Sequence, residues 1–339
     1  MSQKVALTEY FKAVDRRLIR EGLMPRSSFR VNICNKLIDL YFPNEPLAES
    51  GASCIEAFIT DKKGEPDATF LYWYDRCDAY LPKGEGEFSS VWQSADDTGT
   101  LKIGTDDDSL VGCDVARQRY YFARPEPATS AYLKSRHIMV NAFARWARYN
   151  GMLLLHAAAV GAGGNGVLIA GRGGSGKSTF AVSCLAQGLD FVSDDYTLIT
   201  ADGPLEAKPL YSVVALREDM YKSFPQLGSP MLESDGSFRG GKPQFCVPKE
   251  RFSESLDIKA LVMPVIAFDE EPSISRVSPG KIMTQLIHST ITQIEFRRDT
   301  ALIQQMLRRL SSLPIYEMRM STDLAKNPAF LRRFIEKEL

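Results

Sequence analysis

Gly171-Arg172-Gly173-Gly174-Ser175-Gly176-Lys177-Ser178 is a G-x-x-x-x-G-K-S run, and these residue types at this spacing bind phosphate. Glycines let the backbone curl until successive N–H groups converge on one anion. The lysine of such a loop reaches the outer phosphates, and its serine hydroxyl is a ligand for Mg²⁺. The apolar run Val167-Leu168-Ile169-Ala170 before it reads as a buried strand. Phe180, Val182, Cys184 and Leu185 after it read as a helix that starts near Gly176 and stops at Gly188. Strand, loop and helix are the setting this motif needs, and the helix N-terminus adds partial positive charge. The expected ligand is a nucleoside triphosphate such as ATP, held by Gly171, Gly173, Gly174, Ser175, Gly176, Lys177, Ser178 and Thr179.

Two carboxylates follow early. Asp194 stands 17 residues beyond Lys177, and Asp195 is next to it. Leu189–Ser193 reads as a strand, the aspartates as a break, and Tyr196–Ile199 as a second strand. A strand before and a strand after a crossover helix run parallel, so 189–193 is expected beside 167–170. Both strand ends then open on one crevice, where ligands of α/β proteins bind. One carboxylate can hold Mg²⁺ and the other can accept a proton from an attacking hydroxyl. Without a phosphate loop nearby, an Asp-Asp pair is an ordinary turn.

His156 lies in the small apolar strand Met152–Val160, ahead of Gly161-Ala162-Gly163-Gly164-Asn165-Gly166. A hairpin centred between Gly163 and Gly164 sets position 156 opposite Gly171, where a histidine can touch a phosphate or move a proton. A core histidine is the competing reading, and a slip of one residue would flip the side chain. Gly161-x-Gly163-x-x-Gly166 matches the dinucleotide fingerprint, but it precedes a strand where that motif must open a helix. It reads as a turn.

With these pieces in order, the run Leu155–Ile199 resembles the catalytic core of HPr kinase/phosphorylase, a core shared with phosphoenolpyruvate carboxykinases. The resemblance implies that Asp194 is the general base, Asp195 and Ser178 contact Mg²⁺, and His156 stands on the phosphate side with Lys177. It departs from the family at Thr179, where a Glu is usual, and at Ala215, where the metal-binding Glu of the second signature falls. It therefore points to divergent relatives that phosphorylate a serine-type hydroxyl on a peptide, a protein or a small metabolite. A nucleotide-binding regulatory ATPase without acceptor and a carboxykinase-like lyase are the alternatives. The family also assembles as homo-oligomers.

Composition agrees with a globular enzyme. The chain has 339 residues, 44% of them hydrophobic, and a net charge of −1, so there is core for two domains and no basic footprint for nucleic acid. Six scattered cysteines and three histidines give no zinc spacing. No sequon, signal peptide or long apolar span is visible, and the expectation is a cytoplasmic protein away from the membrane.

The expected class is α/β: a β-rich domain over 1–130, for acceptor recognition or assembly, then a mixed-sheet catalytic domain over 131–339. Leu7–Gly22 reads as a helix. Strands are expected at Phe29–Ile38, Cys54–Thr60, Ala68–Tyr74, Ser89–Gln93, Gly99–Ile103 and Arg119–Phe122, and a helix at Ser130–Tyr149. Asp106–Asp108 lacks the spacing of a calcium loop and reads as a solvated turn. Later strands are expected at Tyr211–Leu216, Leu261–Phe268 and Pro314–Met320, with helices within 280–312 and at Asn327–Glu338. Leu227–Val247 reads as a long loop. Its Arg239 and Lys242, with Arg217 upstream, are candidate cations for the transferred phosphate.

Overall fold

The computed structural model describes residues 6–81, 91–96, 99–104, 109–125, 137–232, 235–278, 280–293 and 300–339. Asp106–Asp108, Ser89-Ser90 of the expected strand Ser89–Gln93 and the first part of the Ser130–Tyr149 expectation lie outside them. The chain is mixed α/β and forms two compact units, Met1–Tyr149 and Asn150–Leu339.

The first unit is a seven-stranded sheet in the order Ser27–Ile33, Lys36–Phe42, Ala68–Tyr74, Arg119–Arg124, Ser109–Asp114, Gly99–Gly104, Val91–Asp96. Its helix Leu7–Arg20 buries Leu7, Phe11, Val14 and Leu18, the stripe expected from their spacing. Phe11 stacks on Tyr121 of the sheet with ring centroids 4.5 Å apart. Within the Ser130–Tyr149 expectation, the helix is Val140–Tyr149.

Two readings of this unit are corrected. Phe29–Ile38 is not one strand: Cys34 and Asn35 adopt left-handed φ of 52° and 60° and turn the chain into a hairpin. Cys54–Thr60 is not a strand either. It is the end of helix Glu45–Ile55 and a single turn Glu56–Phe58. The Asn44 side chain caps that helix by accepting from the Leu47 N–H at 3.1 Å.

The second unit is built on one mixed sheet, in the order Asp190–Ser193, Ala158–Ala162, Asn165–Ile169, Leu256–Asp269, Glu206–Lys208, Tyr196–Thr200, Met152–His156. Ile315–Ser321 pairs in parallel with the far half of Leu256–Asp269, and Ser273–Arg276 pairs with Ile315–Ser321. Alternate residues face opposite cores, as a two-residue period requires. Val160, Val167, Ile169 and Val262 pack with Phe180 of helix Lys177–Ala186 and Leu331 and Phe334 of helix Lys326–Glu338. Ala159, Leu168 and Leu261 pack with Leu286 of helix Gly280–Gln293 and Met306 of helix Thr300–Leu310. Helices therefore cover both faces.

Gly163 and Gly164, with left-handed φ of 60° and 84°, form the two-residue turn between Ala158–Ala162 and Asn165–Ile169. That hairpin corrects the expected neighbour of the loop strand. Ala158–Ala162 takes its edge, and Asp190–Ser193 pairs with Ala158–Ala162 instead. Both pairings are antiparallel, so Asp190–Ser193 still runs in the direction of the loop strand. Their C-terminal ends open on the same side of the sheet.

Candidate active site

Gly176 starts the helix after the loop in a left-handed conformation, φ 92°. A Cβ there would stand 2.9 Å from Met320 Cε, the movable end of a flexible side chain, so it is the left-handed backbone that favours glycine here. At the far end, Gly188 N–H donates to the Leu185 carbonyl at 3.1 Å and Leu189 N–H to that of Cys184 at 3.0 Å. This double cap stops the helix where the sequence expects and turns the chain into Asp190–Ser193.

Lys177 is buried, and its ammonium donates to the loop's own carbonyls, Gly171 O at 3.0 Å and Arg172 O at 3.2 Å. Burial pushes its pKa below the ordinary lysine value; the Asp195 and then the Asp194 carboxylates pull it back up. Lysine and acidic pair thus share one neighbourhood. The Ser175 hydroxyl oxygen is buried without a hydrogen-bond partner. The crest of the loop is open: a Cβ at Gly173 or Gly174 would meet nothing within 4 Å.

The acidic pair sits where two strands break together. Ala157 separates Met152–His156 from Ala158–Ala162, and Asp194-Asp195 separate Asp190–Ser193 from Tyr196–Thr200. The registers Ser193↔Ala159 and Tyr196↔His156 set the two breaks opposite each other. The Ala157 carbonyl accepts from Thr197 Oγ1 at 2.7 Å and from Ser193 Oγ at 3.4 Å, and the two hydroxyls bond each other. These bonds close the chain around Asp194 and Asp195, which are 3% and 9% exposed. Asp194 Oδ2 accepts from the Ala215 N–H at 3.4 Å.

His156 Nε2 donates to Asp195 Oδ1 at 2.7 Å. Its Nδ1 is buried without a partner, and its backbone N–H donates to Thr290 Oγ1 at 3.0 Å. The hairpin has the expected centre, but its pairing ends at Ala158↔Ile169. The strand breaks at Ala157, so the register opposite Gly171 is corrected: His156 belongs to the next ladder, opposite Tyr196.

The three candidate cations stand apart in character. Arg217 spends two N–H groups on Asp219, at 3.0 and 2.7 Å, and its side chain is 70% exposed. Arg239 is half-buried with Nη1 3.9 Å from Met231 Sδ, and Lys242 is exposed. The segment expected as a long loop carries the turns Pro225–Leu227 and Arg239–Gly241, a bridge Leu232↔Phe238, and strand Gln244–Cys246 paired with Val213–Ala215. Arg172, inside the loop motif, is a further cation beside these three. It is exposed on the open crest and makes no side-chain hydrogen bond or ion pair among the described residues. Its place inside the loop motif is the signal that marks it.

A lysine resting on loop carbonyls and an idle buried hydroxyl suit the arrival of an anion. For Mg²⁺, the Ser178 hydroxyl and the Asp195 carboxylate are hard oxygen donors. Mg²⁺ takes few protein ligands of that kind and completes its shell with phosphate and water. Among the described residues no group of three or more His, Cys, Asp or Glu could hold a metal by itself.

No family model matches the chain. No curated protein matches it. Among solved structures, the Hpr(Ser) kinase/phosphatase from Coxiella burnetii aligns over 54% of this chain and 93% of its own, with a TM-score of 0.29 and 11% identity. Similarity that low carries no weight here, and the site rests on its own residues. Among the described residues no helix is long and apolar enough to cross a membrane.

The His156–Asp195 contact yields a stability test. His156→Ala removes one donor from the buried Asp195 carboxylate and should cost about 1–3 kcal/mol. His156→Gln, whose amide can still donate, should recover part of the loss in chemical denaturation.

Proposed function

We propose that the protein is an ATP-dependent phosphotransferase that moves the γ-phosphate to a serine-type hydroxyl of a peptide, a protein or a small metabolite. The observation that carries this reading is the burial of Lys177, Asp194 and Asp195 in one neighbourhood, where the loop strand and the acidic-pair strand end on the same side of the sheet.

The loop N–H groups and Lys177 hold the phosphate chain, and Arg172 on the open crest adds charge where the transferring group becomes most negative. Asp194 accepts the proton of the acceptor hydroxyl as that oxygen bonds to the γ-phosphorus. The bond from phosphorus to the β–γ bridging oxygen breaks, and ADP leaves with that electron pair. Asp195 and Ser178 are the residues that would hold Mg²⁺, which supplies charge neutralisation on the phosphates. His156 keeps Asp195 oriented through the 2.7 Å contact. Positioning and electrostatics, not covalent chemistry, carry such a reaction. The Met1–Tyr149 unit is assigned acceptor recognition or assembly into a homo-oligomer, and the protein acts in the cytoplasm.

One observation favours a second reading. Ala215 offers Asp194 only a backbone N–H, at a position where the resembled family has a metal-binding acid. A nucleotide switch with slow hydrolysis and no acceptor would tolerate that.

The test is transfer of labelled γ-phosphate from Mg·ATP into fractionated lysate, wild type beside Asp194→Asn. A product labelled by wild type and reduced at least about 100-fold in the variant, the loss expected of a general base, supports the kinase. Equal, slow release of free phosphate from both proteins supports the switch. Lys177 gives an independent check. Its pKa is lowered in the free protein, and a bound polyanion favours the ammonium form. Triphosphate binding should therefore take up protons in alkaline solution below the ordinary lysine value of 10.5, and should weaken as pH rises through that range. Calorimetry in buffers of different ionisation heat reads the uptake directly.

A further inference from the structure

His156 holds Asp195 Oδ1 through Nε2 at 2.7 Å, and its Nδ1 is buried with no hydrogen-bond partner among the described residues. The orientation of a working histidine is commonly fixed by what its other nitrogen holds. That device is missing at Nδ1. Turning the ring over would put a carbon where Nε2 stands, and moving the proton to Nδ1 would set a lone pair against the carboxylate. Asp195 favours the correct form, but one contact at the ring's edge does not stop the ring from tilting away. Packing has to do that.

Tyr196 supplies the packing. It is the ladder partner of His156, and the two rings stand 5.6 Å apart at 42°. Its hydroxyl donates to Gln293 Oε1 at 2.7 Å. Gln293 ends helix Gly280–Gln293, and Thr290, three residues earlier, accepts the His156 backbone N–H at 3.0 Å. Residues three apart share a helix face. The last turn of this helix therefore grips both members of the ladder pair. It takes His156 by the backbone and Tyr196 by the tip of its side chain.

We infer that Tyr196 and Gln293 are positioning residues of the candidate active site: Gln293 fixes the Tyr196 ring, and that ring keeps the His156 Nε2–H on Asp195. The anchor is a property of the free chain; its use in catalysis rests on the phosphotransferase reading. Neither residue is assigned a contact with the nucleotide.

Proton NMR of the full chain in water tests the anchor directly. The His156 Nε2–H should give a downfield, slowly exchanging signal, identified by its loss in His156→Gln. Tyr196→Phe and Gln293→Leu cut the same bond from its two ends and leave the imidazole in place. Each should move the signal upfield and speed its exchange with water about fivefold, the worth of one hydrogen bond in local opening. The double variant should do no more than either single one, because both act through one bond. Phosphate transfer from Mg·ATP should fall in each variant. A wild type without the signal, an unmoved signal in either single variant, additive effects, or unchanged transfer after protection is lost would overturn the inference. A wild type that shows the protected proton but transfers no phosphate would instead defeat the phosphotransferase reading and leave the anchor standing.

Discussion

The Ala157 carbonyl accepts the Thr197 hydroxyl at 2.7 Å across two strands that break at the same level. Thr197 is fully buried and Ser193 nearly so, so these hydroxyls cannot fall back on water. The bond holds the chain closed around Asp194 and Asp195 and keeps both carboxylates inward. Without it, two adjacent acids would favour a solvated turn. The ladder flanking the break sets where His156 stands, and His156 in turn takes one oxygen of Asp195.

The second constraint is the burial of a cation with its phosphate-binding loop. Lys177 has given up water and holds the carbonyls of Gly171 and Arg172 in return. Burial disfavours its charge, and the acidic pair opposes that cost. A triphosphate entering such a loop meets a charge already desolvated and aimed, so little reorganisation is left for the moment of transfer. The glycine conformations at the loop serve the same end: Gly176 starts the helix with a left-handed backbone, φ 92°, that favours glycine.

Much of this was legible in the sequence because local signals and global fold agree around the loop. The strand, the glycine loop, the helix and its end at Gly188 each follow from a short-range rule. The turn at Gly163-Gly164 does too. What was not legible depends on partners far along the chain. His156 takes its register from Tyr196, forty positions away, and no local pattern announces the break at Ala157. Ser109–Asp114 is buried on both faces, so it shows no alternation and was missed. Glu45–Ile55 mixes small and polar residues on a weakly amphipathic helix, and its apolar end was read as a strand. In the Asn150–Leu339 unit the expected strand order failed for one reason: a two-residue hairpin placed its own strand beside the loop strand, ahead of the crossover.

The central claim is that residues 171–178 receive a triphosphate whose reactive end faces Asp194-Asp195. The most direct measurement is amide NMR of protein labelled at glycine nitrogen, titrated with a non-hydrolysable Mg·ATP analogue. The account predicts large shifts for Gly173, Gly174 and Gly176 as their N–H groups bond phosphate, with Gly163 and Gly164, at the opposite end of the loop strand, unmoved. Binding that shifts other glycines and leaves the loop glycines in place would contradict it.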